Sequence, residues 1–258
     1  MTDSPPRSIV LLSWNLNADH SMKKMIGTAF VLAGLALSLA HAGEMIPEKL
    51  EQEIISKIRA KTEPVYRKYI GVESTREIIS RQYDSRDNSY RGGYTVRLRR
   101  KEYFHKKAHY KVLKYVKDGK EEPVWKYNYP TRNPVHQPFD PDTDKNYITR
   151  LCGKKTINGI PCWEFEVIPK KETPRHLRGK IYFSISGLDL IYLEGTLARY
   201  PVGLKSLTMA IYFKKLDDAY VISKGSYTFA VLVPLFYPHR KFEQTFTSTD
   251  DRLIPAGS

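Results

Sequence analysis

The sequence predicts a mainly β (α+β) fold, an antiparallel sheet of about ten strands with one helix at its N-terminal end. Asn158-Gly159 between two strand-like runs is the strongest short-range pattern for a two-residue hairpin turn. Apolar and polar residues alternate through the second half of the chain, most clearly over Leu207–Phe213. Strand-like runs follow one another without helical segments between them, which favours antiparallel pairing.

The chain opens with a pattern that is typical of an export signal. The positive stretch Met22–Lys24 precedes an apolar run over Ile26–Leu39. Ala40-His41-Ala42 fits a signal-peptidase site, so we expect cleavage after Ala42 and a periplasmic protein. Residues 1–21 form an upstream extension, and the methionine after it is an alternative start. An uncleaved anchor is the alternative interpretation, although the apolar run is short for a membrane span.

Residues 43–258 are predicted to form a single domain with a basic surface. The chain carries 42 Lys and Arg against 28 Asp and Glu, a formal net charge of +14. After export, such a surface meets lipid head groups and acidic glycans, so we expect no nucleic-acid partner. Arg97, Arg99 and Arg100 lie in the densest basic run and are candidates for an anionic head-group site. A solvated strand face is the alternative for this run.

One N-terminal helix is predicted over Pro47–Ala60. Leu50, Ile54 and Ile58 recur there at helical spacing, and proline suits a first helical turn. We expect Pro64 to interrupt this helix before a short second helical piece. A helix with one apolar stripe needs a surface that covers the stripe, so it should lie on the sheet.

The strands are predicted from alternation between turn residues, and the proline-rich stretch 128–145 is expected to be an irregular loop. The predicted strands are Val72–Tyr83, Tyr94–Arg99, Lys107–Lys117, Val124–Tyr127, the two arms of the hairpin within Asn146–Pro169, Ile181–Ile185, Ile191–Leu193, Leu207–Phe213, a strand pair within Tyr220–Val233, and Lys241–Thr249.

The hairpin register predicts that the two cysteines stay unlinked. If Asn158-Gly159 forms the turn, Cys152 faces Phe165 on the opposite arm. Cys162 then lies on the other face of the sheet from Cys152. A β-bulge that brings the two thiols together is the alternative, because an exported protein meets oxidising conditions.

A family resemblance appears in the second half of the chain. The segments GKKTINGIPCWEFEVIPK, RGKIYF and LIYLEG resemble the LolA-like superfamily of periplasmic outer-membrane lipoprotein-sorting carriers. The resemblance covers about Tyr147–Phe246 and reaches the N-terminal half only by pattern. It is carried by turn and strand-end residues in a fixed order: Gly153, Gly159, Pro169, Gly179, Asp189 and Glu194-Gly195.

The resemblance implies a strongly curved antiparallel half-barrel whose concave side is covered by the helix and holds acyl chains. The strand pattern supplies the candidate lipid-binding face, although a closed core is the alternative for the same stripes. One helix over some ten strands would leave part of that face uncovered as a groove. The candidate lipid-binding residues are Trp163, Phe165, Val167, Phe183, Leu193, Leu207, Met209, Ile211 and Phe213.

The predicted function is therefore a periplasmic carrier that takes the acyl chains of a lipid or lipoprotein into an apolar groove. A periplasmic sensor or regulatory module for envelope stress is the alternative. The expected partners are a lipid or an acylated lipoprotein and a transport component of the inner or outer membrane. We expect the protein to be monomeric.

No catalytic, metal or cofactor site is predicted. His105 and His109 have a spacing that suits zinc on a helix, but they lie among strand-like residues. Glu164 and Glu166 share one face of a strand, where a solvated pair is the simpler interpretation. The sequence contains no glycine-rich phosphate loop and no nucleophile elbow. These observations favour a binding protein over an enzyme.

Overall fold

The computed structural model describes residues 47–104, 108–127, 139–140, 143–231 and 240–257, which fall within one unit, Ile46–Ser258. The predicted export signal and most of the proline-rich stretch lie outside these residues. The described elements are α1 (Glu48–Lys68), β1 (Tyr69–Asp84), β2 (Tyr90–Tyr103), β3 (His109–Lys117), β4 (Lys120–Glu121), a 3-10 turn (Val124–Lys126), α2 (Thr143–Asn146), β5 (Tyr147–Ile157), β6 (Ile160–Pro169), β7 (Leu177–Ser184), β8 (Leu190–Leu197), β9 (Leu204–Leu216), β10 (Ala219–Val231) and β11 (Arg240–Pro255).

The described strands form one antiparallel sheet in the order β4-β3-β2-β1-β11-β10-β9-β8-β7-β6-β5. The last strand, β11, lies between β1 and β10, so the N-terminal hairpin joins the meander β5–β10 through it. β4 and β5 are the two edges, and the sheet is therefore open. An open antiparallel sheet with one N-terminal helix confirms the predicted fold class and fits a curved half-barrel.

The helix α1 is longer than predicted and does not stop at Pro64. It runs continuously for 21 residues, with the proline inside it. Proline removes one backbone donor and crowds the preceding turn, which normally ends or kinks a helix. Here Ile58 before the proline and Val65 after it are both buried. Packing against the sheet holds the helix together across the proline, because tertiary contacts supply most of the stability of a protein helix.

Three other predictions differ from the structure. The strand predicted at Val124–Tyr127 is instead a 3-10 turn over Val124–Lys126. Pro123 before it has a φ of −55°, which suits the entry to a helical turn, and it has no N–H to pair in a ladder. Ala219–Val231 is one strand rather than a pair. The stretch predicted to be an irregular loop ends in the short helix α2.

The hairpin β5–β6 forms as predicted at its turn and shifts by one residue further down. Asn158 and Gly159 have φ angles of 48° and 82°, and Ile157 pairs with Ile160. A bulge between Leu151 and Gly153 then makes Leu151, not Cys152, the partner of Phe165. The extra residue of the bulge is Cys152, which is exposed.

The sheet has an inner face, on which α1 packs, and an outer face. Inner-face residues align in rows across the strands, and one row runs from Ile78 through Phe246, Gly225 and Ile211 to Leu193. A register shift in β8 places Leu190 with the inner cluster and Ile191 with an outer one. Simple alternation would place Ile191 and Leu193 on one face, but Ile191 is the extra residue of this bulge and lies on the outer face.

Candidate functional site

An apolar cluster on the inner face of β5–β9 contains the candidate lipid-binding residues. We use the name apolar cluster for these side chains and for those of α1 that pack on them. Seven candidates are buried members of the cluster: Phe165, Val167, Phe183, Leu193, Leu207, Met209 and Ile211. The other two, Trp163 and Phe213, are partly buried and pack against it. The sequence pattern therefore selected residues that do lie side by side.

The helix covers this face with residues that all lie within its predicted range. Ile54, Ile55 and Ile58 of α1 are buried in the apolar cluster. Leu207, Met209 and Ile211 are 7–8% exposed, so these residues form a closed core, which was the alternative interpretation, and the expected uncovered groove does not lie along this stripe.

The aromatic centre of the cluster includes a residue that the sequence did not indicate. Phe139 packs with its ring centroid 4.8 Å from that of Phe183 and 5.6 Å from that of Phe165. It lies in the stretch 128–145 that was predicted to be an irregular loop. A single apolar residue among prolines has no periodicity, so no sequence signal marked it as core.

Tyr147, at the start of β5, closes the cluster at the edge of the sheet. Its hydroxyl oxygen accepts a hydrogen bond from the backbone N–H of Leu177 at 3.1 Å. Burial raises the pKa of Tyr147 to about 12. The side chain therefore stays neutral, as a buried polar group with a partner should.

A polar contact fastens the middle of α1 to the sheet. The Lys61 ammonium donates to the Gly187 carbonyl oxygen at 2.7 Å and to Asp189 Oδ1 at 2.6 Å. The Tyr220 hydroxyl donates to the same Asp189 oxygen at 2.6 Å. We call Lys61, Asp189 and Tyr220 the latch. It joins α1 to the β7–β8 turn and to β10.

The Asp189 carboxyl of the latch is held in its charged form. Burial raises its pKa, but the hydrogen bonds from Lys61 and Tyr220 outweigh burial and bring the pKa below the ordinary value of 3.8. Asp189 is also one of the residues that carry the family resemblance, where its place in a turn was the signal. Its contact with α1 could not be inferred from the turn.

The three candidate head-group residues do not converge. Arg97 and Arg99 are exposed on the outer face of β2, where they pair across the strands with Lys114 and Lys111. Arg100 points to the inner face and forms an ion pair with Glu102 at 2.6 Å. Alternation along the strand separates consecutive basic residues onto opposite faces, so a basic run in a strand does not make one patch.

The structure also places the residues that were considered for other chemistry. His105 lies outside the described residues, and His109 is exposed. Glu164 forms an ion pair with Lys180 at 2.6 Å on the outer face. Within the described ranges, no group of His, Cys, Asp and Glu side chains is arranged to hold a metal ion.

Both cysteines are free thiols, as predicted, although Cys152 lies at the bulge and not opposite Phe165. Cys162 is buried with Tyr182 in a small outer cluster, while Cys152 is exposed at the bulge. Burial raises the pKa of both thiols.

Among the helices of the described residues, none has the length and apolar character to cross a membrane.

No family model and no curated protein matches the sequence. The solved structures with a similar fold include a DUF1329 family protein from Desulfovibrio piger, with 12% identity, a TM-score of 0.42, and coverage of 80% of this chain and 93% of that chain. An outer membrane lipoprotein-sorting protein domain from Vibrio parahaemolyticus has 11% identity, a TM-score of 0.41, and coverage of 80% and 92%. A LolA superfamily protein from Nitrosomonas europaea has 9% identity, a TM-score of 0.38, and coverage of 79% and 93%. The last belongs to the superfamily that the sequence resembles, but at these identities and TM-scores no function follows from the likeness.

Proposed function

We propose that this protein is a periplasmic carrier that takes the acyl chains of a lipid or lipoprotein into the apolar cluster beneath α1. The observation that carries the proposal is a continuous apolar face on five strands, β5–β9, that is covered by a helix lying outside the sheet. No ladder hydrogen bond of the sheet has to break for α1 to move. The helix can therefore leave the face while the sheet stays intact.

The energetics favour exchange between the helix and an acyl chain. Ile54, Ile55 and Ile58 keep the inner face away from water when α1 is closed. An acyl chain that enters the same region contributes about 0.8 kcal/mol for each methylene that leaves water. The acyl chain thus takes the place of the isoleucine side chains against the sheet. Opening then costs the latch together with the other contacts of α1, which include the Arg59–Asp144 ion pair and the burial of Val65.

The latch gives the proposed movement a defined point of control. Lys61 and Asp189 are each about one third exposed, so their ion pair contributes about 1 kcal/mol or less. A contact of that strength favours the position of α1 on the sheet but is weak enough to break when the helix moves. The sequence pattern that predicts an export signal supports the periplasmic location and cleavage after Ala42 that are part of this proposal.

Binding of a fluorescent fatty acid to delipidated protein tests the site. Met209→Lys places a charge within the apolar cluster and should abolish binding. Thr208→Lys is the matched control, because Thr208 is the neighbouring residue and is exposed on the outer face. Normal binding by a folded Met209→Lys protein would exclude this face as the site.

Asp189→Asn provides a test that does not depend on a charge in the core. Loss of the latch should speed uptake of the probe severalfold while the sheet remains folded. Asp217→Asn, an exposed change in the turn before β10, is the control. Equal uptake rates for the wild-type protein and the two variants would argue against opening at α1.

The regulatory alternative predicts different partners for the same protein. A carrier should retrieve lipoproteins from envelope extracts, and mass spectrometry of the native protein should find co-purifying lipids. A sensor for envelope stress should retrieve an inner-membrane signalling protein instead. Retrieval of the signalling protein without lipid or lipoprotein would replace the carrier proposal with the regulatory one.

A further inference from the structure

A polar cavity opens on the inner face at the ends of β1, β2 and β11, separate from the apolar cluster. Its volume is about 510 Å³, and we call it the basic cavity. Its described lining contains four cationic side chains, Arg86, Arg91, Lys117 and Arg240. Two carboxylates also line it, so positive charges exceed negative ones by two.

The first carboxylate is already satisfied by the arginines beside it. Asp84 Oδ1 accepts from the Arg86 backbone N–H at 3.0 Å and from Arg86 Nε at 3.1 Å. Asp84 Oδ2 accepts from Arg86 Nη2 at 3.0 Å and from Arg91 Nη2 at 3.4 Å. The hydrogen bond from the Arg86 side chain holds the pKa of Asp84 well below its ordinary value. Asp84 therefore holds the Arg86 guanidinium in place with two side-chain hydrogen bonds, whereas its single hydrogen bond with Arg91 is longer.

The second carboxylate is tied to the backbone. Asp118 Oδ1 accepts the Gly93 N–H at 2.7 Å. Gly92 has a φ of 123°, and a Cβ atom there would lie 2.8 Å from the Asp118 carboxylate. The backbone at the start of β2 thus lies against the Asp118 carboxylate, and Gly92 permits this approach because it has no side chain. Lys117, the residue before Asp118, forms no ion pair within the described part of the chain.

Two hydroxyl groups line the basic cavity beside its charged side chains. The Gln244 side-chain amide donates to Ser80 Oγ at 3.3 Å and to Tyr94 Oη at 2.8 Å. Both hydroxyl oxygens act as acceptors toward the amide, so their protons point elsewhere. Both residues line the cavity, but Ser80 is only 2% exposed, so the half-buried Tyr94 is the hydroxyl that can donate to a ligand.

We propose that the basic cavity binds a phosphate group. Guanidinium groups match phosphate oxygens with paired N–H donors, and the excess of two positive charges suits a phosphomonoester dianion. The volume lies in the range of about 300–1,000 Å³ that is common for small-ligand sites, so the cavity also has room for a polyol attached to the phosphate. This inference goes beyond the acyl-chain proposal and does not depend on it.

The position of the basic cavity suggests two sources for the phosphate. Gln82 of the cavity pairs with Phe242, which pairs with Phe229, which pairs with Leu207 of the apolar cluster. The rings of Phe229 and Phe242 stack with centroids 4.9 Å apart. A phospholipid could therefore supply the phosphate from its head group, and a small phosphorylated compound could supply it from solution.

Isothermal titration with inorganic phosphate at constant ionic strength tests the site. The wild-type protein should bind phosphate saturably, with Arg91→Gln/Lys117→Gln weakening affinity by about tenfold or more, because a hydrogen bond to a charged group is worth about 1.5–3 kcal/mol. Lys114→Gln is the matched control, since Lys114 is exposed on the same strand as Lys117 and pairs with Glu121 instead. Tyr94→Phe removes only one hydroxyl donor and should weaken binding severalfold without altering charge.

Dihexanoyl phosphatidic acid distinguishes the two sources. Tighter binding than inorganic phosphate assigns the cavity to a lipid head group, and equal binding assigns it to a small phosphorylated compound. Absence of saturable phosphate binding to the wild-type protein would overturn the proposal. Equal affinity of the wild-type, Arg91→Gln/Lys117→Gln and Tyr94→Phe proteins would also overturn it. Failure of the fatty-acid probe alone would count only against the acyl-chain proposal.

Discussion

The two halves of the inner face of the sheet bury side chains of different chemistry. The half formed by β5–β9, the apolar half, buries aliphatic and aromatic side chains beneath α1. The half formed by β1, β2, β3 and β11, the mixed half, has a smaller apolar cluster and buries polar side chains beside it. The buried polar residues of the mixed half include Ser74, Arg76, Ser80, Asp84 and Ser248. The buried side chains of the two halves therefore differ in chemistry: those of one half are mostly apolar, and those of the other include several polar groups.

The difference follows from how each half satisfies its buried groups. In the apolar half, removal of nonpolar area from water stabilises the fold and requires no specific geometry. In the mixed half, each buried polar group needs a partner. Arg76 Nε donates to Ser248 Oγ at 3.2 Å, and its guanidinium lies 4.7 Å from the Phe246 ring centroid. The apolar half therefore requires only that its cover be apolar, whereas the mixed half depends on fixed contacts.

The largest effect should come from a cavity in the apolar half. Phe183 is 1% exposed and packs against both Phe139 and Phe165. Phe183→Ala should lower the free energy of unfolding by about 3–5 kcal/mol, measured by urea denaturation. Phe229→Ala, at a half-buried ring between the two halves, should cost clearly less. An equal decrease in unfolding free energy for both variants would contradict the claim that Phe183 is more tightly packed than Phe229.

A smaller effect should come from an unpaired polar group in the mixed half. Ser248→Ala removes one acceptor from the buried Arg76 and should cost about 1–3 kcal/mol of unfolding free energy. Ser206→Ala, an exposed change on β9, is the control and should be close to neutral. A neutral Ser248→Ala protein would show that this hydrogen bond does not stabilise the mixed half.

The smallest effect should come from the latch, and it should depend on pH. The pKa of Asp189 is lowered in the folded protein, so the latch contributes stability above the ordinary pKa of 3.8 and loses it as pH falls through the folded pKa. Hydrogen exchange in α1 should therefore accelerate in acid more than exchange in the core of the sheet. Asp189→Asn should have faster exchange in α1 already at pH 7 and a weaker dependence on acid. The same acid response in both proteins would exclude Asp189 as the titrating group.

The sequence predicted the parts of this fold that repeat at a fixed period. Alternation located the strands of the apolar half, and Asn-Gly located the hairpin turn with its register near the turn. Bulges at Cys152 and Ile191 shifted the later register, because a bulge has no period of its own. The helix passed through Pro64 because tertiary packing outweighed a local preference.

The sequence predicted a part of the candidate site only where the residues of that part lie within a single strand or helix. The apolar stripe could be identified because each strand carries its own alternation. The latch and the basic cavity bring together residues far apart in the chain, such as Lys61 with Asp189 and Tyr94 with Gln244. Nothing in a single segment encodes these contacts, so they could not be predicted from the sequence.

The central claim is that acyl chains bind in the apolar half, beneath α1. A fatty acid with a diazirine on its chain can be crosslinked to the native protein by light and the adducts mapped by peptide mass spectrometry. We expect adducts on α1 and on the inner-face residues of β5–β9, around Phe183 and Met209, and a decrease in these adducts when unlabelled fatty acid competes. Adducts confined to the mixed half or to the outer face, or adducts that do not decrease under competition, would contradict the claim.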